Sequence, residues 1–165
     1  MSFVAVCDGW LAELQSGATS GLGAVTGLDT TTVPANKTHL YSPVSVERVV
    51  ADSGERHLAI WPEADPQVVH GATTDGSDEI TTSYQVMVWQ DAAEEMTRSF
   101  DDPAVEITWL ALYEAIQARL YIRANLAIGE AGSDVRYEGG VPDARQGGNR
   151  IMAVRFSKRH YKLRT

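Results

Sequence analysis

Residues 80–89 alternate: Ile80, Thr82, Tyr84, Val86 and Val88 point one way, while Thr81, Ser83, Gln85, Met87 and Trp89 point the other. An extended backbone sends successive side chains to opposite faces, so this period of two predicts a strand with one core face and one partly covered face. The run 150–160 repeats the pattern, with Met152, Val154 and Phe156 on one side and Ile151, Ala153, Arg155, Ser157 and Arg159 on the other. Strands with a buried face need a second layer to bury it against.

Two stripes of helical period supply that layer. Phe3, Val6, Cys7, Trp10, Leu11 and Leu14 recur at three- and four-residue steps, and Gly17 is placed to end the helix. Asp101-Asp102-Pro103 reads as a second helix start, with Asp102 as N-cap and Pro103 at the first helical position. Val105, Trp109, Leu112, Tyr113, Ile116 and Leu120 then form its apolar stripe, with Glu106, Glu114, Gln117 and Arg119 off it. Gly129 and Gly132 offer stops after Leu126 and Ile128.

Between these elements, 16–38 is rich in Gly, Thr, Ala and Ser, and is expected as loop or extended chain. Val44, Val46, Val49 and Val50, followed by Leu58, Ile60 and Trp61, flank Asp52-Ser53-Gly54-Glu55 and predict a hairpin. Pro62 and Pro66 stop its second strand, and 63–79 forms an acid-rich excursion. Residues 135–137 are expected to pair with the final strand across a glycine-rich loop, 138–149, holding Gly139, Gly140, Gly147 and Gly148. A chain of 165 residues is the usual size of one domain and buries roughly two thirds of its unfolded surface. The fold class expected is α+β over 1–165 as a single domain. One mixed or antiparallel sheet carries two packed helices, in the order helix-strands-helix-strands, with a loop-rich segment at 17–38 and the acidic excursion at 63–79.

Motifs that would fix a reaction are missing. Cys7, His39, His57, His70 and His160 are scattered singly, without the short spacing a zinc site needs. Cys7 sits among apolar residues and is expected in the core. Gly17-Ala18-Thr19-Ser20-Gly21 misplaces the serine of a nucleophile elbow, and Gly139-Gly140 and Gly147-Gly148 precede a strand where a phosphate cradle would precede a helix. The acid pairs Asp101-Asp102, Glu94-Glu95 and Asp78-Glu79 fit turns and helix starts better than acid–base or magnesium chemistry. No catalytic residue, metal or cofactor is expected. Apolar runs fall short of the roughly 20 residues of a membrane span, and the first residues lack a signal peptide's pattern, so the expectation is a soluble protein made in the cytoplasm.

Charge is unevenly placed. The segment 145–165 carries seven Lys or Arg and no acid on a chain of net charge −8, so the remainder sums to −8 − 7 = −15. A nucleic-acid partner is opposed by that total and by a pI near 4.9. Self-association fits better: Arg150, Arg155, Lys158, Arg159 and Lys162 of one copy would meet Glu63, Asp65, Asp75, Asp78 and Glu79 of the next in a heterologous, ring-closing contact. A solvated basic tail with no fixed partner is the plainer alternative.

The order of elements resembles the tail-terminator, or tail-completion, proteins of long-tailed bacteriophages. The likeness rests on the helix over 3–14, strands around 58–61 and 80–89, the helix opened by Asp102-Pro103, and the glycine-rich loop leading into the strand over 150–160. It spans most of the chain and is one of architecture and length, shared in part by neck, head-completion and minor tail proteins; a non-viral binding module is a further alternative. The resemblance implies a structural virion protein in the tail–neck region, assembled in the host cytoplasm. It would form a homo-hexameric ring that caps the tail tube and docks to the head–neck connector. DNA would pass through an acidic lumen without specific binding, and no membrane or enzymatic activity would be involved. Gly139, Gly140, Gly147 and Gly148 would form a flexible contact loop reaching a neighbour or the tube.

Overall fold

The computed structural model describes residues 2–46, 55–63, 66–91, 104–130 and 134–163. Helix α1 (Phe3–Ser16) begins where Ser2 Oγ accepts the Ala5 N–H and ends where Gly17 takes φ 65°, a left-handed conformation that glycine adopts at little cost. Three short or medium strands follow, β1 (Thr38–Leu40), β2 (Arg56–Pro62) and β3 (Gln67–Val69), then the long β4 (Asp78–Asp91). Helix α2 (Ala104–Leu120) precedes the last pair, β5 (Asp134–Gln146) and β6 (Asn149–Lys162). The element order is therefore helix, strands, helix, strands, an α+β fold.

The six strands make one mixed sheet in the order β1-β2-β4-β6-β5, with β3 beside β4 beyond the end of β2. Among the described strands only β1 runs parallel to its neighbour; the other pairings are antiparallel. Cross-strand register lines up the apolar faces in rows: Leu58, Val88 and Met152; Ile60, Val86 and Val154; Tyr84 and Phe156. Those rows are buried together with Val6, Cys7, Trp10 and Leu14 of α1 and Trp109, Leu112, Tyr113, Ile116 and Leu120 of α2. Both helices thus cover the same face. Each large apolar side chain so enclosed stabilises the fold by about 1.5–3 kcal/mol.

The alternation over 80–89 appears as expected, extended to 78–91, with its even-numbered face in the main core. Its other face is partly covered: Trp89 and Met87 join Val46, Ala59, Trp61, Ile151 and Val44 in a second apolar cluster. The 17–38 segment is loop as expected, apart from a helical turn at Ala35–Lys37, and it buries Val25, Leu28 and Val33 in the main core.

Several expectations give way. Of the predicted hairpin's first strand, Val44 and Val46 are not in a strand, and β2 instead has β1, parallel to it, as its neighbour on that side. The hairpin's turn at 52–54, with Val49 and Val50, lies outside the described residues, as do Asp65, Glu94, Glu95, Asp101, Asp102, Pro103 and Gly132. Helix α2 stops at Leu120, well before Gly129, because Ile122 turns extended and the Asn125 side chain caps the Arg119 carbonyl at 2.8 Å. Arg119, expected on the solvent side of that helix, is buried. Phe3 stands outside the core, lining a cavity of about 350 Å³ with Val68, Ile80, Thr82 and His160 at the end of the sheet.

The glycine-rich stretch 138–149 is largely strand. Gly139 and Gly140 sit at a bulge in β5, and only Gly147 and Gly148, at φ 55° and 84°, form a tight two-residue turn into β6. The loop shrinks because β5 stays paired with β6 from Asp134 to Gln146.

Candidate functional site

Strand β6 is flanked by β4 on one side and β5 on the other, so the basic end of the chain is an interior strand of the sheet. Its side chains alternate, and the cations divide between the two faces. Arg150 and Lys158, placed at the two ends of the apolar run Met152, Val154 and Phe156, turn toward the helices and are fully buried. Neither can meet a neighbouring subunit, which corrects their assignment to an interface.

Arg150 forks onto Asp143 of β5, with Nε to Oδ1 and Nη2 to Oδ2 both at 3.0 Å, and its guanidinium lies 5.0 Å from the Trp109 ring. Burial pushes the Asp143 carboxyl up, but Arg150 and then Arg145 outweigh it and hold the group below its ordinary range. Lys158 Nζ donates to the Leu126 carbonyl at 2.9 Å. Burial lowers its pKa to about 8, partly opposed by the charges of Glu130 and Asp134.

Arg159 faces the other side of the sheet and is half-buried. It pairs with Asp134 at 3.0 Å and lies 4.0 Å from Glu79. Arg155 and Lys162 are exposed. Register explains the pattern, since β4 and β6 are antiparallel and set Asp78 opposite Lys162, Glu79 opposite Tyr161 and Thr81 opposite Arg159. The acidic start of β4 therefore meets the basic end of β6 within one chain. The remaining acids have local partners: Asp78 accepts from the Gly71 N–H at 3.0 Å, and Asp75 accepts from Thr73 and Ser77 in a turn that lowers its pKa to about 2. Glu63 follows β2 directly.

The outer edge of the sheet is β5, which pairs only with β6 among the described strands. It is blunted by two register shifts, by Pro142, and by charges of both signs, devices that prevent indiscriminate strand pairing. Val141 on this strand is 47% exposed, and Arg136, five residues before it and 3.4 Å from Asp134, is exposed as well.

Two side-chain groups went unseen in the sequence. Glu13 of α1 is fully buried and accepts from the Thr19 and Ser20 amides at 2.9 and 3.0 Å and from Arg119 Nη1 at 2.7 Å. Burial pushes this carboxyl up, yet the hydrogen bonds from Ser20, Arg119 and Thr19 win and bring it to about 2. Arg119 also reaches Ser20 Oγ and the Gly23 carbonyl, so one ion pair pins the 17–23 loop onto both helices. The second group is His39 with His57, whose Nε2 and Nδ1 stand 3.0 Å apart. Residues eighteen apart in sequence come together because β1 lies beside β2; a parallel pairing of a three-residue strand leaves no periodic signal. Both rings stack with Trp89.

Among the described residues no cluster of three or more His, Cys, Asp or Glu could hold a metal ion, and no helix is long and apolar enough to cross a membrane. No protein-family model matches the chain, and no curated protein matches its sequence.

Proposed function

We propose that this chain is a structural virion protein that assembles into a ring, caps a phage tail tube and joins it to the head–neck connector. The observation that carries the reading is the order of elements around one sheet: α1, then β2 and β4, then α2, then the β5–β6 hairpin, with both helices on a single face. That is the order on which the resemblance to tail-terminator proteins rests. In this reading six copies form the ring, DNA passes through without specific binding, and the net charge of −8 keeps the lumen from holding a polyanion. The ring resides in the virion, with no membrane contact.

The subunit contact moves away from the basic strand. The side of β5 away from β6 is unpaired among the described strands and offers Val141 and Arg136 to a neighbour, while β1 and β3 lie toward the opposite side of the sheet. A head-to-tail contact between unlike edges closes into a ring when the rotation allows.

Native mass spectrometry of the full chain, alone and with the tail tube protein of the same genome, tests this. A hexamer, or a monomer that arrests tube growth as a ring at its tip, is the expected result. Val141→Asp with Arg136→Glu should abolish either form while leaving the melting temperature within about 2 °C of wild type, since both side chains are exposed. A chain that stays monomeric and leaves tube growth unaffected overturns the proposal.

A further inference from the structure

We propose that β1 and the chain following it to Val46 form an acid-released strap over the second apolar cluster, latched by the His39–His57 contact. The strap's pairing to the sheet is short. β1 pairs over three residues only, Thr38 to Leu40 against Leu58 to Ile60. Immediately after it, Tyr41 holds φ 76°, a strained value for a residue with a bulky side chain, and is kept there by its N–H to the Ile60 carbonyl at 2.9 Å and its hydroxyl to Asp8. Farther along, Val44 and Val46 cover Trp61, Trp89 and Ile151, and Asn149 Nδ2 donates to the Val46 carbonyl at 3.2 Å.

The latch depends on protonation. A 3.0 Å contact between two ring nitrogens requires one to carry a proton and the other to be bare. A first added proton is tolerated, because an imidazolium can still donate to a neutral ring. A second puts N–H groups on both sides of the gap and two positive rings with centroids 5.3 Å apart. The charged groups facing the pair among the described residues are Lys37 and Glu55, joined at 2.9 Å. Lys37 opposes protonation of both rings; Glu55, 3.8 Å from His57 Nε2, favours it on His57. Burial is the largest influence on both rings and lowers their pKa, so the pair is neutral near pH 7 and the latch opens in acid. Opening withdraws Val44 and Val46 from Trp61 and Trp89, now 5% and 0% exposed.

Amide hydrogen exchange of the full chain at pH 7.5 and 5.0, corrected for intrinsic rates, reads this directly. Peptides covering 38–46 should lose at least tenfold in protection at the lower pH while 3–16 keeps its own. The double variant His39→Gln, His57→Gln should show no such step. Equal loss in both peptides, or an unchanged step in the double variant, with His160 then the remaining buried imidazole, overturns the strap. If the double variant fails to fold, NMR titration of the wild-type rings decides: two independent titrations at or above the ordinary value of about 6.5 refute the latch, and lowered, coupled ones support it.

Discussion

Replacing Lys158 by Met separates an interior role for the basic strand from an intersubunit one. In the folded chain the ammonium is fully enclosed, and its one hydrogen bond runs to the Leu126 carbonyl. Its pKa falls from 10.5 to about 8, chiefly from burial, with Glu130 and Asp134 opposing. At 1.36 kcal/mol per unit, that drop corresponds to about 3 kcal/mol by which folding disfavours the charge at neutral pH. Methionine keeps a flexible stem of similar length and loses a hydrogen bond worth about 1 kcal/mol; the attraction of the two carboxylates is already contained in the net shift. The expected balance is a gain of about 1–2 kcal/mol, or a rise of roughly 2–8 °C in Tm for a chain of this size. The pH dependence gives an independent reading. Because the folded pKa lies below the unfolded one, the unfolded chain retains a proton between pH 8 and 10.5 that the folded chain has released, so wild-type stability rises with pH across that window. Urea unfolding at steps from pH 7 to 9 keeps tyrosine ionisation small; the Cys7 thiol, which burial raises to about 11, lowers stability with pH in both proteins alike, so the wild type should gain on the variant as pH rises. A variant destabilised by more than 1 kcal/mol, or one with the wild-type slope, refutes the reasoning.

Other expectations follow from the same geometry. Arg119→Met strands the buried Glu13 carboxylate and should cost about 3–5 kcal/mol by chemical denaturation. In the wild type, Glu13's folded pKa of about 2 lies below its ordinary 4.5, so its share of stability is complete above pH 4.5 and disappears as pH falls toward 2; acid unfolding curves of wild type and Glu13→Gln should converge there. Gly140→Ala would drive a methyl to 2.1 Å from the Ala153 carbonyl oxygen and should cost more than about 2 kcal/mol, whereas Gly139→Ala, with open space and φ 88°, should cost about 1 kcal/mol; paired thermal melts compare them.

Periodicity carried most of the architecture. Alternation over 80–89 and 150–160 and the stripes of the two helices are local patterns, each produced by a face that must leave water, and they appear where the chain shows them. What escaped has no local signature. β1 is three residues long and parallel, so nothing in His39 or Leu40 announces it. The end of α2 is set by an Asn125 side chain five residues beyond the helix, and a capping partner at that distance is not a composition signal. Arg119 looks like a surface residue on its own helix and becomes internal only because Glu13, 106 positions away, is brought to it. Gly139 and Gly140 suggest a loop by composition, yet the first supplies positive φ at a bulge and the second a close approach to β6, both inside a strand.

Part of the charge pattern serves the chain's own sheet, for a related reason. Along the sequence the acids of 63–79 and the cations of 145–165 look like two patches awaiting separate partners. Antiparallel pairing folds one against the other: β4 leaves the acidic stretch in the direction opposite to that in which β6 approaches its basic end, so Asp78 faces Lys162 and Arg159 comes within reach of Glu79. Complementarity that would set register between subunits instead sets register between strands, and the burial of Arg150 and Lys158 removes two more cations from the surface. In the proposed ring, a contact between copies would draw on groups without a partner strand beside them. Among the described residues that condition is met along the outer edge of β5, where bulges and Pro142 prevent simple strand addition. In that proposal, recognition at the edge would come from side chains such as Val141 and Arg136, which are exposed and lie outside the core.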